Sequence, residues 1–158
     1  MKRIHYCSFL ILACGLITMR ASAVVVCSVS STGTAFGTFD TLSGSNKDVI
    51  GTISVTCTGN IGDAVNYTIA LSPGGGSFAS RNMQAGGPLL NYNLYSDGSH
   101  TLIWGDGTSG TSTVSDSYTL AASSNTVQYT VYGRISSGQS GAPAGGYGDT
   151  IVITVTYL

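Results

Sequence analysis

The chain has 158 residues and few charges, with six Lys or Arg, seven Asp and no Glu. No basic patch exists for nucleic acid or for an anionic membrane surface. Without Glu, a glycosidase pair would need two Asp residues, and no two are marked out as partners.

The first element is "MKRIHYCSFLILACGLITMRASA". Lys2 and Arg3 precede an apolar run from Tyr6 to Met19, which closes on Ala21-Ser22-Ala23. This pattern predicts a secretory signal peptide over residues 1–23, too short to anchor a membrane. A lipoprotein parse through Ile11-Leu12-Ala13-Cys14 is the lesser reading, because Leu12 is bulky at its position. No later stretch is apolar enough to span a bilayer, so membrane insertion is not expected. Residues 24–158 are then one exported domain, long enough to bury a real core.

In that domain Cys27 and Cys57 are the remaining cysteines, and in an exported chain an even pair predicts a disulfide. Closing a loop of this length stabilises by roughly 3–4 kcal/mol on the chain-entropy model. His100, the single histidine after residue 23, leaves a two-cysteine metal site without partners, so neither metal nor cofactor is expected.

Period-two alternation replaces any helical period after Val24. "VVVCSVSSTGTAFGTFD" predicts a strand with a bent continuation around Gly37. "GTISVTCTG" places Ile53, Val55 and Cys57 on one face, and "VNYTIALS" places Val65, Tyr67, Ile69 and Leu71 together. "LLNYNLYS" aligns Leu90, Tyr92 and Leu94. Asp97-Gly98 then predicts a two-residue type I′ hairpin turn, with His100 solvated beside it. "TVQYTVYGRI" aligns Val127, Tyr129, Val131 and Ile135. "DTIVITVTYL" at 149–158 is the last strand, with Ile151, Ile153, Val155 and Tyr157 on one face. Clusters of Gly, Pro, Asp and Ser separate these runs. The pattern predicts an all-β fold, an antiparallel Greek-key or immunoglobulin-like sandwich.

Catalytic constellations are not found. Gly105-x-Gly107-x-x-Gly110 matches a dinucleotide fingerprint as a string, but no helix follows it, and it reads as a loop. Asp97-Gly98-Ser99 and Asp106-Gly107-Thr108 read as turns rather than catalytic or calcium loops. No serine stands in a G-x-S-x-G context that could use His100. Trp104 reads as core. The chain is not expected to be an enzyme.

Several separated motifs carry a resemblance: "GTISVTCTG", Arg81-Asn82-Met83, "LNYNLY", "IWGDGTSG", "YTVYGRI" and "GYGDTIVITVTY", in this order. Over nearly all of 27–158 the chain resembles the spore coat protein U domain, the family that also contains archaic chaperone–usher pilus subunits. The resemblance implies an incomplete immunoglobulin-like sandwich lacking its seventh strand. A periplasmic chaperone would lend a strand to the gap. At the outer-membrane usher, the N-terminal extension of another pilus subunit would replace it. The cell surface or extracellular space, adhesion and biofilm formation follow from the same resemblance.

On that reading Ile151, Ile153, Val155 and Tyr157 line the groove that takes the completing strand. Burying four or five donor side chains, at roughly 1.5–3 kcal/mol each, would contribute on the order of 10 kcal/mol. That approaches the whole stability of a domain, so the lone subunit should be marginal. Cleavage after Ala23 leaves Val24, Val25 and Val26 before Cys27, too few to fill a groove of roughly nine residues. The subunit would then accept a strand without donating one, as at a fibre tip. The alternative is a self-contained secreted spore-coat or surface-binding sandwich, closed by pairing residues 24–30 with 150–158.

Overall fold

The computed structural model describes residues 24–158. The proposed signal peptide, with Cys7 and Cys14, lies outside the described residues. The described residues form eight strands: β1 (Val26–Thr32), β2 (Lys47–Thr58), β3 (Ala64–Leu71), β4 (Arg81–Gln84), β5 (Leu89–Tyr95), β6 (Val114–Thr119), β7 (Ser124–Ile135) and β8 (Ile153–Tyr157). They form a five-stranded sheet, in the order β1-β2-β7-β5-β4, and a three-stranded sheet, in the order β6-β3-β8. All strand pairs are antiparallel. The fold is therefore an all-β sandwich, as the alternation implies.

The core lies between the sheets and is built from the alternating residues. Ile53, Val55 and Cys57 of β2 face Val65, Tyr67, Ile69 and Leu71 of β3, with Leu90, Tyr92 and Leu94 of β5 and Val131 and Ile135 of β7. Trp104 is wholly buried, and its indole N–H donates to Ile69 O at 3.0 Å. A buried indole needs such a partner, since an unpaired N–H in the interior is costly. Cys27 and Cys57 form the predicted disulfide and are register partners in the β1–β2 ladder.

Two local expectations change. The turn after β5 is not a two-residue type I′ turn: neither Asp97 nor Gly98 has positive φ, whereas His100 does, at 58°. The chain closes instead through Ser96 N–H to Leu102 O (3.0 Å), and the Asp97 carboxylate accepts the N–H of Thr101 and Leu102. An Asp side chain that captures the backbone of its own loop favours this wider closure. Nor is His100 solvated. Its side chain is 8% exposed and packs edge-on between Tyr95 and Tyr132, 3.8 Å from the Asp48 carboxylate. The wider loop folds the imidazole back onto the sheet.

In the strand β6 the inward residues are Val114, Asp116 and Tyr118, and the middle one is a carboxylate. Asp116 accepts the Tyr129 hydroxyl at 2.6 Å, and the Tyr129 oxygen in turn accepts the Tyr67 hydroxyl at 2.5 Å. An inward charge with hydroxyl partners is tolerated, but in sequence it hides the strand.

Candidate functional site

The last strand is an edge. Among the described residues β8 pairs only with β3, and β1 pairs only with β2. The pairing of 24–30 with 150–158 that a self-closed sandwich requires is therefore absent among the described residues. Ladder-paired β8 is also shorter than expected, Ile153–Tyr157, because the chain before it first bridges β4 through Gln84 and Gly148.

The register decides which backbone groups are free. Ser72 N–H donates to Val152 O (3.0 Å) and Leu158 N–H donates to Asn66 O (3.2 Å). The even-numbered residues thus turn their N–H and C=O toward β3. In an antiparallel strand successive residues point oppositely, so the N–H and C=O of Ile153, Val155 and Tyr157 point to the free edge.

The same register decides which side chains face the core. Ile153 stands opposite Leu71, Val155 opposite Ile69 and Tyr157 opposite Tyr67, and those three partners are buried. Yet Ile151, Ile153 and Val155 are only half-buried, and Tyr157 is 36% exposed. The facing edge is equally under-covered. Val29 of β1 lies opposite Val55, which is wholly buried, but Val29 is itself 39% exposed. Two sheet edges therefore present core-facing side chains with too little above them. A covered core would leave them close to fully buried.

The third wall is the link between β1 and β2. Residues 33–39 make no backbone–backbone hydrogen bond among the described residues. The segment bends at Gly37 (φ 63°) and is held by aromatic anchors. Phe36 is buried, edge-on to Tyr92 with centroids 5.7 Å apart. It fits because residue 133 is glycine: a Cβ there would come within 3.0 Å of the Phe36 ring. Between this link and the approach to β8 lies a cavity of about 840 Å³, lined by Phe36, Phe39, Met83, Tyr92, Ile135 and Ile151 among others. The cavity adjoins the free edge through Ile151 but is not lined by Ile153, Val155 or Tyr157. An edge with unpaired backbone beside such a cavity can take an extended chain: backbone groups supply affinity, and pockets select alternate side chains.

Buried polar contacts hold the slot in shape. Arg81 is wholly buried. Its Nε and Nη2 donate to Ser72 O (3.2 and 3.0 Å), Nη2 also to Trp104 O (2.7 Å), and Nη1 to Asn93 Oδ1 (2.6 Å). Burial pushes its guanidinium below the ordinary arginine range, but an arginine stays charged in a protein. Ser72, gripped by Arg81, in turn bonds both polar backbone groups of Val152. Arg81 thus sets the start of β8 from behind.

Asp149 acts as a clasp beside it. It accepts the Tyr92 hydroxyl (2.7 Å) and Gly75 N–H (3.0 Å). Burial, and then this bond, push the Tyr92 hydroxyl pKa upward. Asp149→Ala is expected to destabilise by about 1–3 kcal/mol, the loss of charge-assisted bonds. Asp149→Asn should recover part of it. Thermal unfolding of the two variants checks the difference.

Sequence reasoning did not find the wall made by Phe36 and Phe39, nor the role of Arg81. Two Phe residues flanking a Gly in an otherwise polar stretch were the available signal. The disulfide neighbours the site, and the groove residues read from the sequence all lie along the β8 edge.

A model of the Spore Coat Protein U domain matches residues 13–154. The chain belongs to the Spore Coat Protein U domain family. The match covers nearly every strand of the sandwich. No curated protein matches the sequence. Among solved structures, this Spore Coat Protein U domain is similar to a chain of the CsuC–CsuE chaperone–tip adhesion subunit pre-assembly complex from archaic chaperone–usher Csu pili of Acinetobacter baumannii. That match has 23% identity and a TM-score of 0.54, covering 84% of this chain and 39% of that one. The domain thus spans well under half of the chain it matches, and the likeness is one of fold. Two others are the P pilus rod subunit PapA, at 19% identity, TM-score 0.48 and coverage of 84% and 99%, and a subunit of a chaperone–usher pilus studied for rod uncoiling, at 16%, 0.49, and 96% and 100%.

Proposed function

We propose that this domain is a structural subunit of a chaperone–usher surface fibre, completed by a strand from another polypeptide, and not an enzyme. The observation that carries the reading is the β8 edge: free N–H and C=O groups at Ile153, Val155 and Tyr157, above a half-buried apolar strip. An edge of this kind invites pairing, and a protein that keeps one exposes itself to aggregation unless a partner covers it. The fold shared with a chaperone–subunit complex supports the same reading. Residues 1–23 direct export, a periplasmic chaperone fills the slot first, and the usher exchanges that strand for one from another subunit. Adhesion and biofilm formation are the roles of the resulting fibre.

Periplasmic expression with and without the cognate chaperone tests this. The expected result is a low yield of the domain alone and a soluble one-to-one complex with the chaperone. An abundant, monomeric domain that unfolds cooperatively without a partner would overturn it. The mass of the mature chain assigns its place. Cleavage after Ala23 leaves three residues before Cys27 and makes the subunit an acceptor at the fibre tip. A longer retained arm makes it a rod subunit.

A further inference from the structure

We propose that the Cys27–Cys57 disulfide is a lock: it keeps β1 in its own sheet, and without it β1 becomes the strand that fills the β8 edge of a second copy. The inference rests on the open edge proposed above. Three observations carry it.

First, β1 is weakly held. Of its seven residues only Cys27 is not exposed; among the described residues its only ladder is with β2, and it lies near β8 without pairing to it. Second, the link from Gly33 to Asn46 is far longer than neighbouring antiparallel strands need, since hairpin loops run to about five residues. Extended, it reaches roughly 45 Å, enough to carry β1 out of its sheet and into a neighbour. Long-range exchange of an identical element between copies needs such a hinge. Third, the segment Val24–Thr32 suits the slot. It is extended, and alternate positions Val25, Cys27 and Val29 already face a core.

Leaving β2 costs one ladder and joining β8 of a neighbour forms another. The gain is coverage of Ile151, Ile153, Val155 and Tyr157, which are half-buried or exposed in the single copy. The disulfide sits at the second residue of β1, directly in register with β2. It therefore pins the end of β1 that must swing furthest. Oxidised copies cannot fill one another with β1, and the slot stays open for a different donor.

The test compares the oxidised domain with C27S/C57S by size and by hydrogen exchange. The double variant is expected to form oligomers whose Ile153, Val155 and Tyr157 amides become protected. Adding I153D should return it to smaller species. A double variant that folds, stays monomeric and keeps those amides exposed overturns the lock. A second arm does not depend on the variant folding. A synthetic peptide of residues 24–32 carrying C27S is added while the oxidised domain refolds. It should bind saturably and protect the same three amides, and the peptide with V25D/V29D should not. Failure of the first peptide to bind overturns the proposal. If the oxidised domain alone already protects those amides, the open edge itself is refuted. If they are exposed and neither arm fills the edge, only the lock fails.

Discussion

Ile153→Asp is expected to abolish capture of a completing strand while the sandwich still folds. The side chain faces the core side of β8 opposite Leu71, yet is only half-buried, so water reaches an aspartate there in the single subunit. Once a strand covers the slot that access ends. A carboxylate enclosed without a partner is heavily penalised, and the apolar contacts of Ile153 are lost as well. A combined penalty of about 3 kcal/mol or more weakens capture over 100-fold. The neighbouring Thr154→Asp is the control. Thr154 is exposed and faces away from the core, so its substitution should change capture less than about threefold, as for other surface changes. Pull-down with the chaperone, or titration with a donor peptide, reads both. Equal loss in the two variants, or none in either, would mean that the face is wrongly assigned.

Replacing Arg81 should have the largest effect on stability. Arg81→Met keeps the volume but removes four guanidinium hydrogen bonds, leaving Ser72 O and Trp104 O without their donor while Asn93 Oδ1 keeps only the Leu94 N–H. Each buried acceptor left unpaired costs about 1–3 kcal/mol, offset in part by relief of the charge's own desolvation. A net loss of about 3–5 kcal/mol is expected, which lowers Tm by roughly 10 °C or more for a domain of this size. Arg81→Lys should rescue little, because an ammonium cannot reproduce the planar fork. The consequence reaches the slot through Ser72, whose grip on Val152 sets the start of β8. In the variant that survives, amide exchange at Val152 should rise ahead of the rest of β8. Exchange that rises uniformly would show that Arg81 supports the fold and not the edge.

The strands that the alternation reveals are those whose inward residues are all apolar. In β2, β3, β5 and β7 the inward sets Ile53-Val55-Cys57, Val65-Tyr67-Ile69-Leu71, Leu90-Tyr92-Leu94 and Val131-Ile135 are buried, because a two-layer sandwich must hide one face of each strand. The exception is β6, whose inward Asp116 is accommodated by tyrosines from β7 and β3. No rule based on one strand's own pattern reaches partners supplied by two others. The turn after β5 escaped for a related reason. Asp97-Gly98 suits a tight turn in isolation, but the Asp97 carboxylate binds Thr101 and Leu102, further on, and His100 gains a buried seat against Tyr95 and Tyr132.

By itself the sequence determined the all-β class, the face of each apolar strand, the Cys27–Cys57 pair and the strip Ile151-Ile153-Val155-Tyr157. All of these follow from chemistry local to one strand or from a count of cysteines. Only the tertiary structure decided that β8 is hydrogen-bonded to β3 on one side and to no strand on the other among the described residues, that residues 33–39 form a wall beside the approach to β8, and that Arg81 braces the start of β8 through Ser72. Edges, walls and buried charges are properties of neighbours. A residue's own strand says which way it points, and only the packing of distant segments says what, if anything, it meets there.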